Sequence, residues 1–176
     1  MRARLSSLGV IALVVVCGSA RAEKPDAGER LAAFFARASG ASRTIAAATL
    51  WESLRSGAGK YLVVDVRAPE DYAKGHVPGA VSLPLTTLFQ PQSLAKLPAP
   101  AAAGKNIVLV CYTGHMESMA LGGLVALGYE PYVLRFGMLG WEAQSQIKAG
   151  GAADQTPDVV RGIGAPLEKD GHAAAK

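Results

Sequence analysis

Four apolar residues, Ile107-Val108-Leu109-Val110, lead directly into Cys111-Tyr112-Thr113-Gly114-His115-Met116. From there the chain runs on to residue 127, with Met119, Leu121, Leu124, Val125 and Leu127 recurring at helical spacing. An uncharged run rich in β-branched side chains is what a strand buried on both faces needs, because alternate side chains must each find apolar company. The segment therefore predicts a central strand, a short loop holding a cysteine, and a helix. Thr113-Gly114 lets successive backbone N–H groups turn inward at the start of that helix, a concave donor nest that favours an anion. The first anion within reach is the thiolate of Cys111. A nucleophilic sulfur is the expectation; the plainer alternative is a buried cysteine serving as a small hydrophobe at a strand end.

Composition decides which setting that cysteine has. Half of the 176 residues are hydrophobic, which suits one domain with a core and excludes disorder throughout. Met1-Arg2-Ala3-Arg4 is a positive start, residues 8–16 an apolar run, and Ala20-Arg21-Ala22 a small-residue cleavage site, so residues 1–22 are expected to be an export signal cut after Ala22. The apolar run is far short of the ~20 residues a bilayer span needs. Lipidation at Cys17 would want a small residue where Val16 stands. Loss of Arg2, Arg4 and Arg21 takes the formal charge from +4 to +1, and a near-neutral chain without a basic cluster gives no support to nucleic-acid binding. The protein is thus expected to be periplasmic or secreted, without a permanent membrane span. Its one remaining cysteine, Cys111, can form no internal disulfide, and a lone thiol in an exported chain marks a reactive group.

Residues 23–44, Ala-rich with Leu31, Phe34 and Phe35 grouped, predict an amphipathic helical extension ahead of a domain spanning 45–146. Ile45 starts a strand and residues 49–55 a helix ended by Ser56-Gly57, with Trp51 read as core rather than ligand. Residues 61–66 predict a second buried strand ending among Asp65, Arg67, Glu70 and Asp71. Charges at the C-terminal end of a parallel strand lie where open α/β sheets place their sites, although an Arg67–Glu70 ion pair that fixes the loop is the preferred reading. His76, in the turn of residues 75–84, is either an acid–base group or, as preferred, a ring that bonds a loop carbonyl and holds the turn. Residues 86–96 predict a helix broken by Pro91, 97–104 a Pro/Ala loop, Gly128-Tyr129 a helix cap, 132–134 a strand, and 136–141 a turn into a last short helix. Residues 147–176 lose periodicity and predict a mobile tail. Strands alternating with helices give an α/β class with a parallel sheet and right-handed crossovers.

Three segments occur in order: Asp65-Val66-Arg67 with Glu70 and Tyr72; Gly75-His76-Val77-Pro78-Gly79-Ala80; and Cys111-Tyr112-Thr113-Gly114-His115, followed by Gly128-Tyr129 and Gly137-Met138-Leu139-Gly140-Trp141. Through them residues 45–146 resemble the rhodanese-like sulfurtransferases. The resemblance implies a rhodanese-like fold, a central parallel five-stranded sheet flanked by helices on both faces, with Cys111 at the base of a cradle-shaped loop. It implies ping-pong sulfur transfer: the Cys111 thiolate takes the outer sulfur of thiosulfate, a polysulfide or a persulfide, then passes it to cyanide or a thiol. Amides of Tyr112, Thr113, Gly114, His115 and Met116 would hold the persulfide anion, and Asp65, Arg67, Glu70 and His76 would support the loop. No metal or organic cofactor is implied.

One departure bears on the donor. Many members carry an arginine near the end of this loop, where Met116 stands here, followed by Glu117. Without that bidentate cation, and with a carboxylate close by, a dianion such as thiosulfate is expected to bind less well. A catalytically idle domain binding an envelope protein partner is the competing reading. A phosphatase or arsenate reductase is disfavoured, because Glu117 and Ser118 stand where its oxyanion-clamping arginine is needed.

Overall fold

In the computed structural model, residues 24–38, 43–100, 105–142, 146–148 and 159–169 are described. The predicted export signal at 1–22, with Cys17 and the Ala22 cleavage site, lies outside them, as do residues 149–158 and 170–176 of the expected tail.

Five strands, β1 (Thr44–Ile45), β2 (Tyr61–Asp65), β3 (Val81–Ser82), β4 (Asn106–Val110) and β5 (Tyr132–Leu134), form one parallel sheet in the order β1-β5-β4-β2-β3. This is the α/β architecture the strand–helix alternation predicts. Side-chain alternation along the middle strands separates two apolar layers. Val63, Val108 and Val110 face one layer with Leu50, Met138 and Trp141. Val64, Ile107, Leu109 and Cys111 face the other, with Ala120 and Leu124. Each fully buried aliphatic side chain contributes roughly 1.5–3 kcal/mol relative to exposure, so β4, with four buried apolar residues, anchors both layers at once. The cysteine follows at its C-terminal end.

Helices α1 (Ala27–Ala38), α2 (Ala47–Arg55), α3 (Pro69–Lys74), α4 (Pro91–Leu94), α5 (His115–Ala126) and α6 (Gly137–Trp141) complete the domain. Helix α1 is packed rather than free: Phe34 is buried, and Arg30 Nε donates to the Ala126 carbonyl at 2.7 Å, satisfying an orphan acceptor at the end of α5. Trp51 joins the core as expected, edge-on to Trp141 at 6.0 Å between ring centres. Gly128 takes a left-handed φ of +91° and its N–H reaches the Val125 carbonyl at 2.9 Å, so the predicted cap of α5 is present.

Three expectations need correction. Pro91 does not break a helix over 86–96; it starts one, α4, at the first-turn position where its missing N–H costs nothing, and the residues before it turn. Arg67 pairs with Asp65, not with Glu70, which is exposed on α3. The tail is in part built into the fold: β6 (Gln146–Lys148) pairs antiparallel with β7 (Val159–Arg161), and residues 162–169 then run back along the domain. There the Trp141 indole N–H donates to the Pro166 carbonyl at 3.0 Å, and His76 and Glu168 exchange two backbone hydrogen bonds of 2.9 and 3.0 Å. Among the described residues no helix is long and apolar enough to cross a membrane.

Candidate active site

Cys111 stands where β4 gives way to the loop 111–114, and its side chain points into the α5 layer with 1% exposure. Its sulfur is not left among hydrocarbon: the Gly114 N–H donates to Sγ at 3.0 Å. Gly114 makes this geometry with φ +110°, a value only glycine adopts without strain. His115 and Met116 open α5, where first-turn amides have no acceptor within the helix. Tyr112 and Thr113 are exposed on the loop, His115 is exposed beside them, and Met116 is half-buried against the α5 layer.

The base of the loop is clamped by α6. Met138 N–H donates to the Cys111 carbonyl at 2.9 Å and Leu139 N–H to the Tyr112 carbonyl at 3.1 Å. Gly137 makes room for this approach: a Cβ there would stand 2.4 Å from the Cys111 carbonyl oxygen. The Gly137-to-Trp141 segment is thus part of the site through its backbone.

A second shelf is made by the supporting residues. Asp65, at the end of β2, is 1% exposed and receives Arg67 through Nη2 at 2.6 Å and Nε at 3.0 Å, while Arg67 Nη2 also donates to the Gly75 carbonyl at 2.8 Å. A planar guanidinium forked onto a buried carboxylate is the form in which an enclosed charge pair is tolerated. His76 is buried beside this pair and bonds a carbonyl of α3 rather than of the loop. Its Nδ1 lies 2.9 Å from the Tyr72 carbonyl, and its ring stacks on Tyr72 at 3.7 Å, whose hydroxyl donates to Ala80 at 2.6 Å. Arg67 and Tyr112 meet across a hollow of about 500 Å³ that also touches Lys74 and Leu167. Glu70 takes no part in this cluster.

The residue that sequence reasoning placed wrongly is Glu117. It is expected as a charge near the loop, yet it is fully buried, on the stripe of Ala120, Leu124 and Val125. The Cys111 N–H donates to its Oε2 at 2.7 Å, while Oε1 is enclosed without a partner. Burial pushes its pKa up to about 8, with nearby Asp65 adding to the rise and the Cys111 amide and thiol opposing it. Burial thus favours the neutral acid over the carboxylate at this position. The signal was available in the 3.6 period, since positions 117, 120 and 124 share a face. Among the described residues no cluster of His, Cys, Asp and Glu is fit to hold a metal.

Comparison with known proteins agrees with this geometry. A family model for the rhodanese-like domain matches residues 46–144. An uncharacterised protein of Synechocystis is 36% identical over 100 residues, covering 56% of this chain and 51% of that protein, so the chain spans about half of that relative's length. A thiosulfate sulfurtransferase, GlpE, of Pseudoalteromonas translucida is 30% identical over 83 residues, covering 47% of this chain and 73% of that enzyme. A Bacillus halodurans protein of known crystal structure superposes with a TM-score of 0.51 at 24% identity over 61% of this chain and 77% of that one, which speaks for the fold alone. With the sheet order, the cysteine loop and the family match falling on the same residues, the chain belongs to the rhodanese-like domain family.

Proposed function

We propose that this protein is a sulfurtransferase or persulfide carrier that moves sulfane sulfur through Cys111. In the first half-reaction the thiolate attacks the outer sulfur of a donor. A new S–S bond forms at Sγ, the donor's own bond to that sulfur breaks, and its electron pair leaves with the remainder of the donor. In the second, a cyanide or thiolate acceptor takes the outer sulfur and frees Cys111. The observation that carries the reading is the Gly114 N–H donating to Sγ at 3.0 Å, because an amide aimed at sulfur stabilises its anion. The sulfurtransferase among the relatives lends support. Incubation with thiosulfate, polysulfide and a persulfide donor in turn, followed by intact mass, is expected to show one added sulfur, retained on Cys111.

The catalytically idle, partner-binding reading is favoured by a different observation, the 1% exposure of Cys111, since an enclosed thiol meets a donor only when the loop opens. Absence of any added sulfur with all three donors would establish that reading instead. Donor choice turns on Met116. Installing the missing cation as Met116→Arg is expected to raise thiosulfate turnover about tenfold, through a lower KM for the dianion; unchanged or reduced turnover would mean that the loop suits a less charged donor.

The location of this chemistry is proposed to be outside the cytoplasm. Mass analysis of the protein recovered from its native cell is expected to show a chain beginning at Glu23, and an intact Met1 or a lipid on Cys17 would overturn the proposal.

A further inference from the structure

Helix α5 places an acid in a stripe that otherwise carries Ala120 and Leu124. Sulfur and carboxyl are tied to the same short loop: Sγ accepts the Gly114 N–H at 3.0 Å, and Glu117 Oε2 accepts the Cys111 N–H at 2.7 Å. The second carboxyl oxygen, Oε1, is enclosed with no hydrogen-bond partner and lies 3.5 Å from where a Cβ on Gly114 would stand. One carboxyl oxygen thus caps the Cys111 amide, and the other is left enclosed beneath the sulfur loop. The titratable groups that act on Glu117 are Cys111 at the end of β4 and, through its charge alone, Asp65 at the end of β2, which is tied to Arg67; on its own helix His115 is exposed. Burial raises the Glu117 pKa to about 8, so this carboxyl can both hold and release a proton near neutral pH.

We propose that Glu117 is the proton partner of Cys111, the two buried groups sharing one proton and one negative charge. The thiolate forms when the thiol proton passes to the Glu117 carboxylate. The consequence for turnover, which rests on the sulfur-transfer reading, falls in the second half-reaction. An acceptor thiolate forms an S–S bond to the outer sulfur of the Cys111 persulfide anion, and the bond from that sulfur to Sγ breaks with its electron pair remaining on Sγ. Glu117 gives its proton to Sγ, leaving a thiol and a carboxylate. The proton then returns to Glu117 and the thiolate is restored, so the acceptor leaves as a persulfide anion with charge and protons balanced.

The test is the rate of Cys111 alkylation by iodoacetamide between pH 6 and 10, a readout that needs no sulfur donor, with the full chain and with Glu117→Gln. Glutamine keeps an oxygen for the Cys111 N–H and cannot titrate. The unaltered protein is expected to show a rise in two steps, the variant a single step, and the two rates to differ at least threefold around pH 8. Superimposable profiles would overturn the proposal, because a purely structural Glu117 is matched by glutamine. Should the variant not fold, the infrared carbonyl band of the protonated Glu117 carboxyl is followed against pH in the unaltered protein and in Cys111→Ser. Two-step loss of the band becoming one-step in the serine variant supports sharing; identical titrations refute it. A protein that shows the coupled profile but never gains sulfur would keep the proton pair and lose the transferase reading.

Discussion

Replacing Cys111 with serine is expected to reduce sulfur transfer by at least about a thousandfold and to abolish the added mass after donor treatment, with the folding free energy changed by less than about 1 kcal/mol. The side chain is lost as a nucleophile while the backbone around it keeps its partners. The residue-111 N–H still donates to Glu117, and its carbonyl still accepts from Met138. Serine oxygen can take over the Gly114 N–H, so the loop has no reason to collapse. Turnover with thiosulfate and cyanide, read beside a urea denaturation curve, separates the two quantities. Full turnover by a properly folded serine variant would mean that another group carries the sulfur.

Truncation of the guanidinium in Arg67→Ala has the opposite signature, a large loss of stability. Asp65 would be left as a buried carboxylate at the end of β2 without its fork, a change that costs about 3–5 kcal/mol, and the Gly75 carbonyl would lose a donor as well. The urea midpoint is expected to fall accordingly. The paired replacement Asp65→Asn with Arg67→Met should recover part of that loss, because no isolated charge then remains inside. Stability of the single variant within about 1 kcal/mol of the unaltered protein would show that water reaches Asp65 and that the pair is not enclosed in solution. The charge of Asp65 adds to the rise of the Glu117 pKa, so removal of Arg67 is further expected to hold the proton on Glu117 to higher pH, visible as an upward move of its carboxyl titration.

The sheet, the cysteine loop and the cap of α5 were legible because each is written in a local pattern: β-branched runs for β2 and β4, Thr113-Gly114 for the turn, Gly128 for the left-handed cap. What was misread depends on geometry that spacing alone leaves ambiguous. Arg67 and Glu70 stand three apart and suggest a helical pair, but α3 starts only at Pro69, and Arg67, at a bend just past β2, turns back onto Asp65 two residues earlier. An acid in the first turn of α5 is ordinary, since a helix N-terminus favours negative charge, and that familiarity hides the fact that position 117 faces the core. Pro91 stops a helix or starts one depending on which residues precede it, and the turn over 85–89 decides for a start. The segment 162–169 escaped notice because it holds its place largely through backbone groups, which leave no hydrophobic period to read.

That last segment changes where the folding unit ends. The family match stops at 144, yet the indole N–H of fully buried Trp141 donates to the Pro166 carbonyl, and the strand-like exchange at His76 is completed by Glu168. A chain cut at the family boundary would strip one side chain of its hydrogen-bond acceptor and bare the turn that carries His76, although every residue of the cysteine loop was still present. In this protein the half of the domain that carries the cysteine loop is finished by residues beyond the family match.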